Sequence, residues 1–210
     1  PKVDAQKDVY ALVMSTLDDA IANLQKATDA DLNYAGAQDL VYGGDPSKWL
    51  AAAYGLKARY LLHQSAVDNS VYAAAEAAAQ KAIDLGFAGM TITEFNGSSA
   101  YHPWTAYIKS RSYVASSSTV SKMMEANNDP RLPLYLNGGE AYNPGDAEAA
   151  KISASVAYPA WYKTGSQPLH LLSESEVYFI LAETQLRQSK SATAAFQKGV
   201  ASSVTEIMTI

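Results

Sequence analysis

The sequence predicts an all-α domain built from pairs of helices, with long irregular loops and at most a few very short strands. Apolar residues recur at helical spacing in the first 87 residues and again after residue 173, whereas this spacing fails between about residues 88 and 170. That middle stretch is rich in Tyr, Trp, Gly and Asn. The chain has 210 residues, of which 48% are hydrophobic, so one domain with a sizeable core is expected.

The first helix is predicted for about residues 4–27, because apolar residues recur there every three or four positions. Its apolar stripe consists of Val9, Val13, Leu17, Ile21 and Leu24. A polar connection over residues 28–44 follows. Its segment Asp29–Asn33 resembles the opening of a calcium loop, but Tyr34 and Leu40 stand where that loop needs Gly and Glu. We therefore favour a plain capped loop.

A helical hairpin is predicted to begin at Asp45, a good N-cap acceptor, with Pro46 at the first helical position, where its missing N–H costs nothing. Ser70 is expected to cap the second helix, which should end at Gly86 with Phe87 folded back on its last turn. The predicted stripes are Trp49, Ala53, Leu56, Tyr60 and His63 on the first helix, and Tyr72, Ala75, Ala79, Ala82 and Ile83 on the second. The second stripe is nearly all alanine, which allows close helix packing.

The middle of the chain is predicted to be mostly irregular. Residues 91–93 fit a short strand, and residues 96–99 fit a turn. A short helix is expected over residues 118–125, ending at the sequence Asn127–Pro130. So long an irregular segment in a compact domain is usually functional or mobile.

A second hairpin is predicted to begin at Ser173, which forms a capping box with Glu176, so Glu176 is expected to cap its own helix. Glu183 is expected to form a buried ion pair with Arg59 of the first hairpin. Arg131 is expected to fasten its loop by binding a carboxylate or backbone carbonyls. The apolar stripe of the last helix consists of Phe196, Val200, Val204 and Ile207.

The two hairpins resemble each other in sequence. Residues 78–83 (AAQKAI) match residues 195–200 (AFQKGV). The small residues of the first copy, Ala75, Ala79 and Ala82, correspond to Ala192, Phe196 and Gly199. This register is that of the second helix of a tetratricopeptide repeat, only partly kept in the first copy. The alternative is chance similarity between alanine-rich helices.

Composition excludes several functional classes. The net charge is −5 and no basic patch is visible, so nucleic-acid binding is not expected. There is no cysteine, which excludes disulfides and thiolate chemistry, and no apolar run approaches the ~20 residues of a membrane span. The sequence opens at Pro1 without an initiator Met or a signal peptide, so we expect a fragment or a processed chain.

Catalysis is not expected either. A glycosidase needs two carboxylates facing each other across a cleft, but Glu176 and Glu183 share one helix face. The histidines lack metal-ligand spacing, and neither a nucleophile elbow nor a phosphate-binding loop is present. We predict no enzyme activity, no cofactor and no metal. The three histidines are His63, His102 and His170.

Four stretches together carry a family resemblance. They are DPSKWL with LKARY (residues 45–50 and 56–60), NDPRL (128–132), PLHLLSESEVYFILAE (168–183) and FQKGVASS (196–203). In this order they resemble the SusD/RagB family of bacterial outer-membrane nutrient-binding lipoproteins, and the third stretch is the most specific. The resemblance spans most of residues 4–210.

The resemblance implies a SusD-like fold of tetratricopeptide-like helical pairs over residues 4–87 and 173–208, which frame an aromatic-rich insert over residues 88–170. It implies a single, incomplete domain that binds oligosaccharide or another nutrient without cleaving it. The implied partner is a SusC-type TonB-dependent transporter. The implied location is the outer-membrane surface, with membrane contact only through a lipid anchor outside this chain.

Sugar binding needs flat apolar faces with polar groups around them, and the insert supplies both. Trp104 and Trp161 are the leading stacking platforms. The remaining candidates are Tyr101, Tyr107, Tyr158 and Tyr162 as secondary platforms, with Asn96, Arg111 and Asn143 as hydroxyl partners. The alternative for each aromatic is that it pins its loop to the core.

The alternative function is a helical-repeat scaffold that binds a peptide or partner protein. A continuous groove along the hairpins would favour this function.

Overall fold

The structure is a computed structural model that describes residues 3–27, 36–110, 116–136, 142, 162 and 164–208. Within these residues the fold is all-α, as predicted. The helices are α1 (Gln6–Leu24), α2 (Pro46–Gln64), α3 (Tyr72–Asp84), α4 (Pro103–Ser110), α5 (Ser118–Ala126), α6 (Leu132–Leu136), α7 (Glu174–Arg187) and α8 (Thr193–Met208). The strands β1 (Met90–Ile92) and β2 (Leu169–Leu172) pair in a two-stranded sheet.

The chain divides into two compact units. The helical unit comprises residues 1–92 and 170–205, and it contains α1–α3, α7 and most of α8. The insert unit comprises residues 93–169 and 206–210, and it contains α4–α6. The prediction that all 210 residues form a single domain stays a prediction.

The core of the helical unit is made largely of small residues where α2 packs against α3 and where α3 packs against α7. The predicted alanine stripe of α3 is buried, as expected. On α2 the most buried face carries Ala51, Ala52, Gly55 and Ala58. The stripe predicted for α2 is mostly half-buried, and its Tyr60 contacts Tyr10 of α1 edge-on. The reason is that α2 packs against several helices at once, so it has more than one buried side.

The predicted ends of the first hairpin are confirmed except at the start of α3. The Asp45 carboxylate accepts hydrogen bonds from the backbone N–H groups of the first turn of α2. Gly86 has a φ of +79°, and the N–H of buried Phe87 donates to the Ala82 carbonyl at 3.0 Å. The prediction of Ser70 as the cap of α3 is wrong. A 3-10 turn precedes α3, so Asp68 caps the segment instead, by accepting from the N–H of Ser70 at 2.9 Å.

The second hairpin begins as predicted, but its ion pairs differ from the prediction. Ser173 Oγ accepts from the N–H of Glu176 at 3.1 Å, which confirms the N-cap. The Glu176 carboxylate does not cap the helix; it binds Arg59 through two hydrogen bonds of 2.5 and 2.6 Å. The predicted pair of Arg59 with Glu183 is therefore wrong, and Glu183 pairs with Arg187 at 3.4 Å. The first turn of α7, not its middle, lies nearest to Arg59.

We expect Glu176→Gln to lower the free energy of unfolding by about 1 kcal/mol. Two charge-assisted hydrogen bonds usually stabilise more than this, but the Glu176 side chain is 38% exposed and solvent screens the pair. Glu183→Gln is the matched control, because it removes only an exposed pair within one helix, for which a loss of about 0.5 kcal/mol or less is expected. Urea denaturation followed by circular dichroism measures both. A larger loss for Glu183→Gln than for Glu176→Gln would contradict the observed pairing.

The apolar stripe predicted for α8 is present but is not buried. Phe196 is 55% exposed, and Val200 and Val204 are also exposed. The buried residues of α8 are Ala195 and Gly199, and a Cβ on Gly199 would lie 2.9 Å from the ring of Phe179. The side of α8 that contacts α7 is therefore the small-residue side.

In the insert unit, α5 and its end follow the prediction. Asn128 has a φ of +51°, and the next residue, Asp129, donates its N–H to the Met124 carbonyl, which closes the last turn. Arg131 binds a carboxylate as predicted, with its Nη2 2.7 Å from Asp129 Oδ2. Hydrogen bonds from the Arg131 side chain and backbone lower the pKa of Asp129 to about 2.

Candidate functional site

The candidate site is built on α4, a helix that the sequence did not predict. Pro103 occupies its first position, and the Nδ1 atom of His102 accepts a hydrogen bond from the N–H of Trp104 at 3.2 Å. The His102 carbonyl also accepts from the N–H of Ala106 at 3.0 Å. Eight residues are too few for a periodicity signal, so the available signal was Pro103, a residue that is common at the first position of a helix.

One side of α4 is fixed by buried polar contacts. Thr105 is fully buried, and its Oγ1 donates to the Tyr162 carbonyl at 2.9 Å and accepts from Gln167 Nε2 at 3.1 Å. His102 is also buried, and its N–H donates to the Gly165 carbonyl at 2.8 Å. These bonds hold the orientation of α4 and so set which of its sides faces solvent.

Two large aromatic side chains point outward from α4. Trp104 is 48% exposed and Tyr107 is 43% exposed, and they lie almost one turn apart on the helix. Their ring centroids are 6.4 Å apart and their planes are perpendicular, at 90°. We call this pair the aromatic corner. A flat ligand ring can stack on one aromatic face while its edge contacts the other.

A positively charged residue, Lys109, follows Tyr107 of the aromatic corner by two positions in the sequence. Lys109 Nζ sits 4.2 Å from the ring centroid of Tyr101, a cation–π contact. Lys109 was not among the predicted site residues. Tyr101, Thr105 and Lys109 follow one another at four-residue spacing, so a helix prediction for this segment would have placed them on one side.

Some of the other predicted site residues make local contacts, and the rest lie outside the described residues. The Asn96 side chain is engaged by its own turn, because its Oδ1 accepts from the N–H groups of Ser98, Ser99 and Ala100 at 2.9, 3.0 and 3.0 Å. The ring of half-buried Tyr162 packs on His102, with centroids 5.5 Å apart. The remaining candidates, Trp161, Tyr158, Arg111 and Asn143, lie outside the described residues. The ligand-binding role of the nine predicted residues stays a prediction.

The described residues also bear on metal binding and membrane insertion. In this part of the chain, no three His, Asp or Glu side chains are grouped so that they could hold a metal ion. The segment Asp29–Asn33, which resembles the start of a calcium loop, lies outside it. None of the helices in the described ranges combines the length and the apolar character needed to cross a bilayer.

Comparisons with known proteins extend over nearly the whole chain. The model of the family SusD-like_2, described as "Starch-binding associating with outer membrane", matches residues 1–208. A SusD/RagB family protein from Bacteroides thetaiotaomicron is similar with a TM-score of 0.80 and 28% identity, over 98% of this chain and 46% of that one. No curated protein matches the chain.

Two further solved structures share the fold at lower identity. A chitin-binding protein has a TM-score of 0.75 and 23% identity, over 99% of this chain and 50% of that one. A SusD-like protein from Bacteroides thetaiotaomicron has a TM-score of 0.76 and 24% identity, over 97% of this chain and 45% of that one. The chain thus spans about half the length of these relatives.

Proposed function

Since the chain belongs to the SusD-like family of starch-binding proteins that associate with the outer membrane, we propose that it binds oligosaccharide or another nutrient at the cell surface without cleaving it. The bound nutrient is then delivered to a SusC-type TonB-dependent transporter. The protein is a surface-exposed lipoprotein, and its contact with the membrane is a lipid anchor outside these 210 residues.

The aromatic corner is the observation that carries this proposal. The apolar C–H face of a pyranose ring stacks on an indole, and the perpendicular ring of Tyr107 limits how the sugar sits on Trp104. The Tyr107 hydroxyl supplies a polar group beside the apolar face, which suits a ligand that carries both. Polar contacts hold α4 from its buried side, so the helix that carries both rings has a fixed orientation.

One carboxylate of the insert unit, Asp129, is unsuited to the role of a glycosidase acid. A glycosidase acid needs a raised pKa so that it carries a proton at neutral pH. Asp129 has the opposite property, because Arg131 and its backbone N–H lower its pKa to about 2. This carboxylate is therefore ionised and already bound to Arg131, which makes it unsuitable as a general acid.

We expect Trp104→Ala to weaken oligosaccharide binding at least tenfold, because truncating a Trp hot spot typically costs about 2 kcal/mol or more and about 1.4 kcal/mol corresponds to a tenfold change in affinity. Isothermal titration calorimetry with starch-derived and chitin-derived oligosaccharides measures the affinity. Trp104→Phe, which keeps an aromatic face, should retain most of it. Phe196→Ala is the matched control, because it removes a similarly exposed ring from α8, outside the proposed site.

The results of these binding measurements test the position of the site and the binding function separately. If oligosaccharide binds wild type and Trp104→Ala equally well, the aromatic corner is not the binding site. If the natural-length protein binds no glycan, oligosaccharide binding itself is contradicted. Circular dichroism of each variant checks that a loss of binding does not reflect unfolding.

A further inference from the structure

The helical unit contains a polar pocket that the proposed function does not use. The pocket has a volume of about 440 Å³, and it lies between the start of α3 and the end of α7. Its walls carry a phenol, a guanidinium, two amides and a hydroxyl. We call it the hairpin-end pocket. Its lining residues are Asn69, Ser70, Tyr72, Ala73, Arg187 and Gln188.

Two of the lining residues are held by hydrogen bonds within the protein. Ser70 donates both its N–H and its Oγ–H to Asp68 Oδ1, at 2.9 and 2.6 Å. Gln188 Nε2 donates to Glu76 Oε2 at 2.7 Å and to the Thr184 carbonyl at 2.9 Å. The bond between Glu76 and Gln188 joins α3 to the residue that ends α7, so the two sides of the pocket are tied together.

The other polar groups of the pocket are available to a ligand. Within the part of the chain that the structure describes, neither the Asn69 amide nor the Tyr72 hydroxyl has a hydrogen-bond partner. Arg187 makes one long contact, of 3.4 Å from its Nη2 atom to Glu183, and its side chain is 58% exposed. Most of its five N–H donors are therefore open to a ligand. In this respect the pocket differs from Asn96, whose side-chain oxygen is used by its own turn.

The charges at the pocket favour a neutral ligand. The positive charge of Arg187 is matched by Glu183. Asp68 adds a negative charge beside the pocket, because hydrogen bonds from the Ser70 side chain and backbone lower the pKa of its carboxyl. These two carboxylates disfavour an anionic ligand, and Arg187 in the wall disfavours a cationic one. A ligand that is polar but uncharged meets neither penalty.

We propose that the hairpin-end pocket is a second saccharide-binding site, which takes a neutral sugar unit. The class of ligand rests on the proposed function, whereas the position of the site rests on the pocket itself. The Tyr72 ring contacts the C–H face of the sugar, and Asn69 and Arg187 bind its hydroxyls. The volume of the pocket lies within the range of roughly 300–1,000 Å³ that is typical of small-molecule sites.

The test counts the sugar molecules bound per molecule of the natural-length protein, by equilibrium dialysis with radiolabelled maltotriose and triacetylchitotriose. Wild type should bind two molecules of the trisaccharide that it accepts, and Trp104→Ala should bind one. In the Trp104→Ala protein, adding Arg187→Ala should weaken the remaining binding about fivefold or more, and adding Tyr72→Phe about threefold or more. Lys81→Ala is the matched control, because it removes an exposed charge of α3 outside the pocket, so a change of less than about twofold is expected. Circular dichroism confirms that each variant is folded.

The number of bound molecules distinguishes a failure of the second site from a failure of the proposed function. If wild type binds neither trisaccharide, the proposed function is contradicted. If wild type binds one molecule and Trp104→Ala binds none, only the second site is overturned. A remaining molecule whose binding is unchanged by both Arg187→Ala and Tyr72→Phe also overturns it, because that molecule then lies elsewhere. One molecule that is lost in Arg187→Ala but kept in Trp104→Ala supports the hairpin-end pocket and contradicts the aromatic corner.

Discussion

Leu172→Ala is expected to lower the free energy of unfolding of the helical unit by about 3 kcal/mol, the largest loss we predict for a core residue. Leu172 is 1% exposed and lies in the core between α2 and α7. Its Cδ2 atom fills the space above Gly55, where a Cβ would come within 2.8 Å of it. Closely packed helices cannot collapse into the space that the substitution leaves, so the cavity persists.

Leu186→Ala is the matched control for this substitution, because it removes the same atoms from a side chain that is 67% exposed. Its effect should stay within about 0.5 kcal/mol. Urea denaturation gives the free energies, and for a chain of this length the Leu172→Ala loss corresponds to a melting temperature lower by roughly 6–12 °C. Similar losses for the two variants would contradict the core position of Leu172.

Gly97→Ala is expected to destabilise the insert unit by about 3 kcal/mol. Gly97 has a φ of +70°, which costs a non-glycine residue roughly 1–2 kcal/mol. A Cβ there would also lie 2.3 Å from the backbone carbonyl oxygen of Thr164. Because this oxygen belongs to the backbone, the clash cannot be relieved by a side-chain rotation, and the segment that holds Gly165 must shift.

Gly86→Ala separates the conformational cost of a positive φ from the cost of the steric clash. Gly86 has a similar φ of +79°, but a Cβ there meets nothing within 4 Å, so only the conformational cost of about 1 kcal/mol is expected. Amide hydrogen exchange of α4 reports on Gly97→Ala, and that of α3 reports on Gly86→Ala. Equal losses of protection would show that the Gly97–Thr164 contact is not tight.

Much of the helical scaffold could be predicted because its signals are local. The caps at Asp45 and Ser173 and the stop at Gly86 depend on contacts within a few residues, and each is confirmed. The helix α4 was missed because eight residues carry little periodicity. Its N-terminus also depends on an unusual cap, the imidazole of His102.

Choices between distant partners could not be predicted. Glu176 and Glu183 lie on one face of α7, and which of them meets Arg59 depends on where α2 crosses that helix. The spacing of Phe196 and Val200 likewise identifies the apolar side of α8 but not what covers it. Sequence periodicity shows which residues share a helix face, whereas tertiary packing decides which element contacts that face.

The candidate site could likewise be predicted from the sequence only in part. Trp104 was selected as a stacking platform by residue type and by its place in the insert, but its exposure and its angle to Tyr107 follow only from the helix that carries both. Asn96 was selected for its amide, yet three backbone N–H groups of its own turn use that oxygen. A polar residue in a turn is therefore a weak candidate for ligand binding unless its local hydrogen bonds are known.

The alanines of the helical unit also have an entropic consequence. Ala52, Ala58, Ala79 and Ala82 are completely buried between helices. Alanine has no side-chain rotamers to lose on folding, whereas burying a leucine costs about 0.5–1 kcal/mol of rotamer freedom. The interface thus forms with little loss of side-chain entropy.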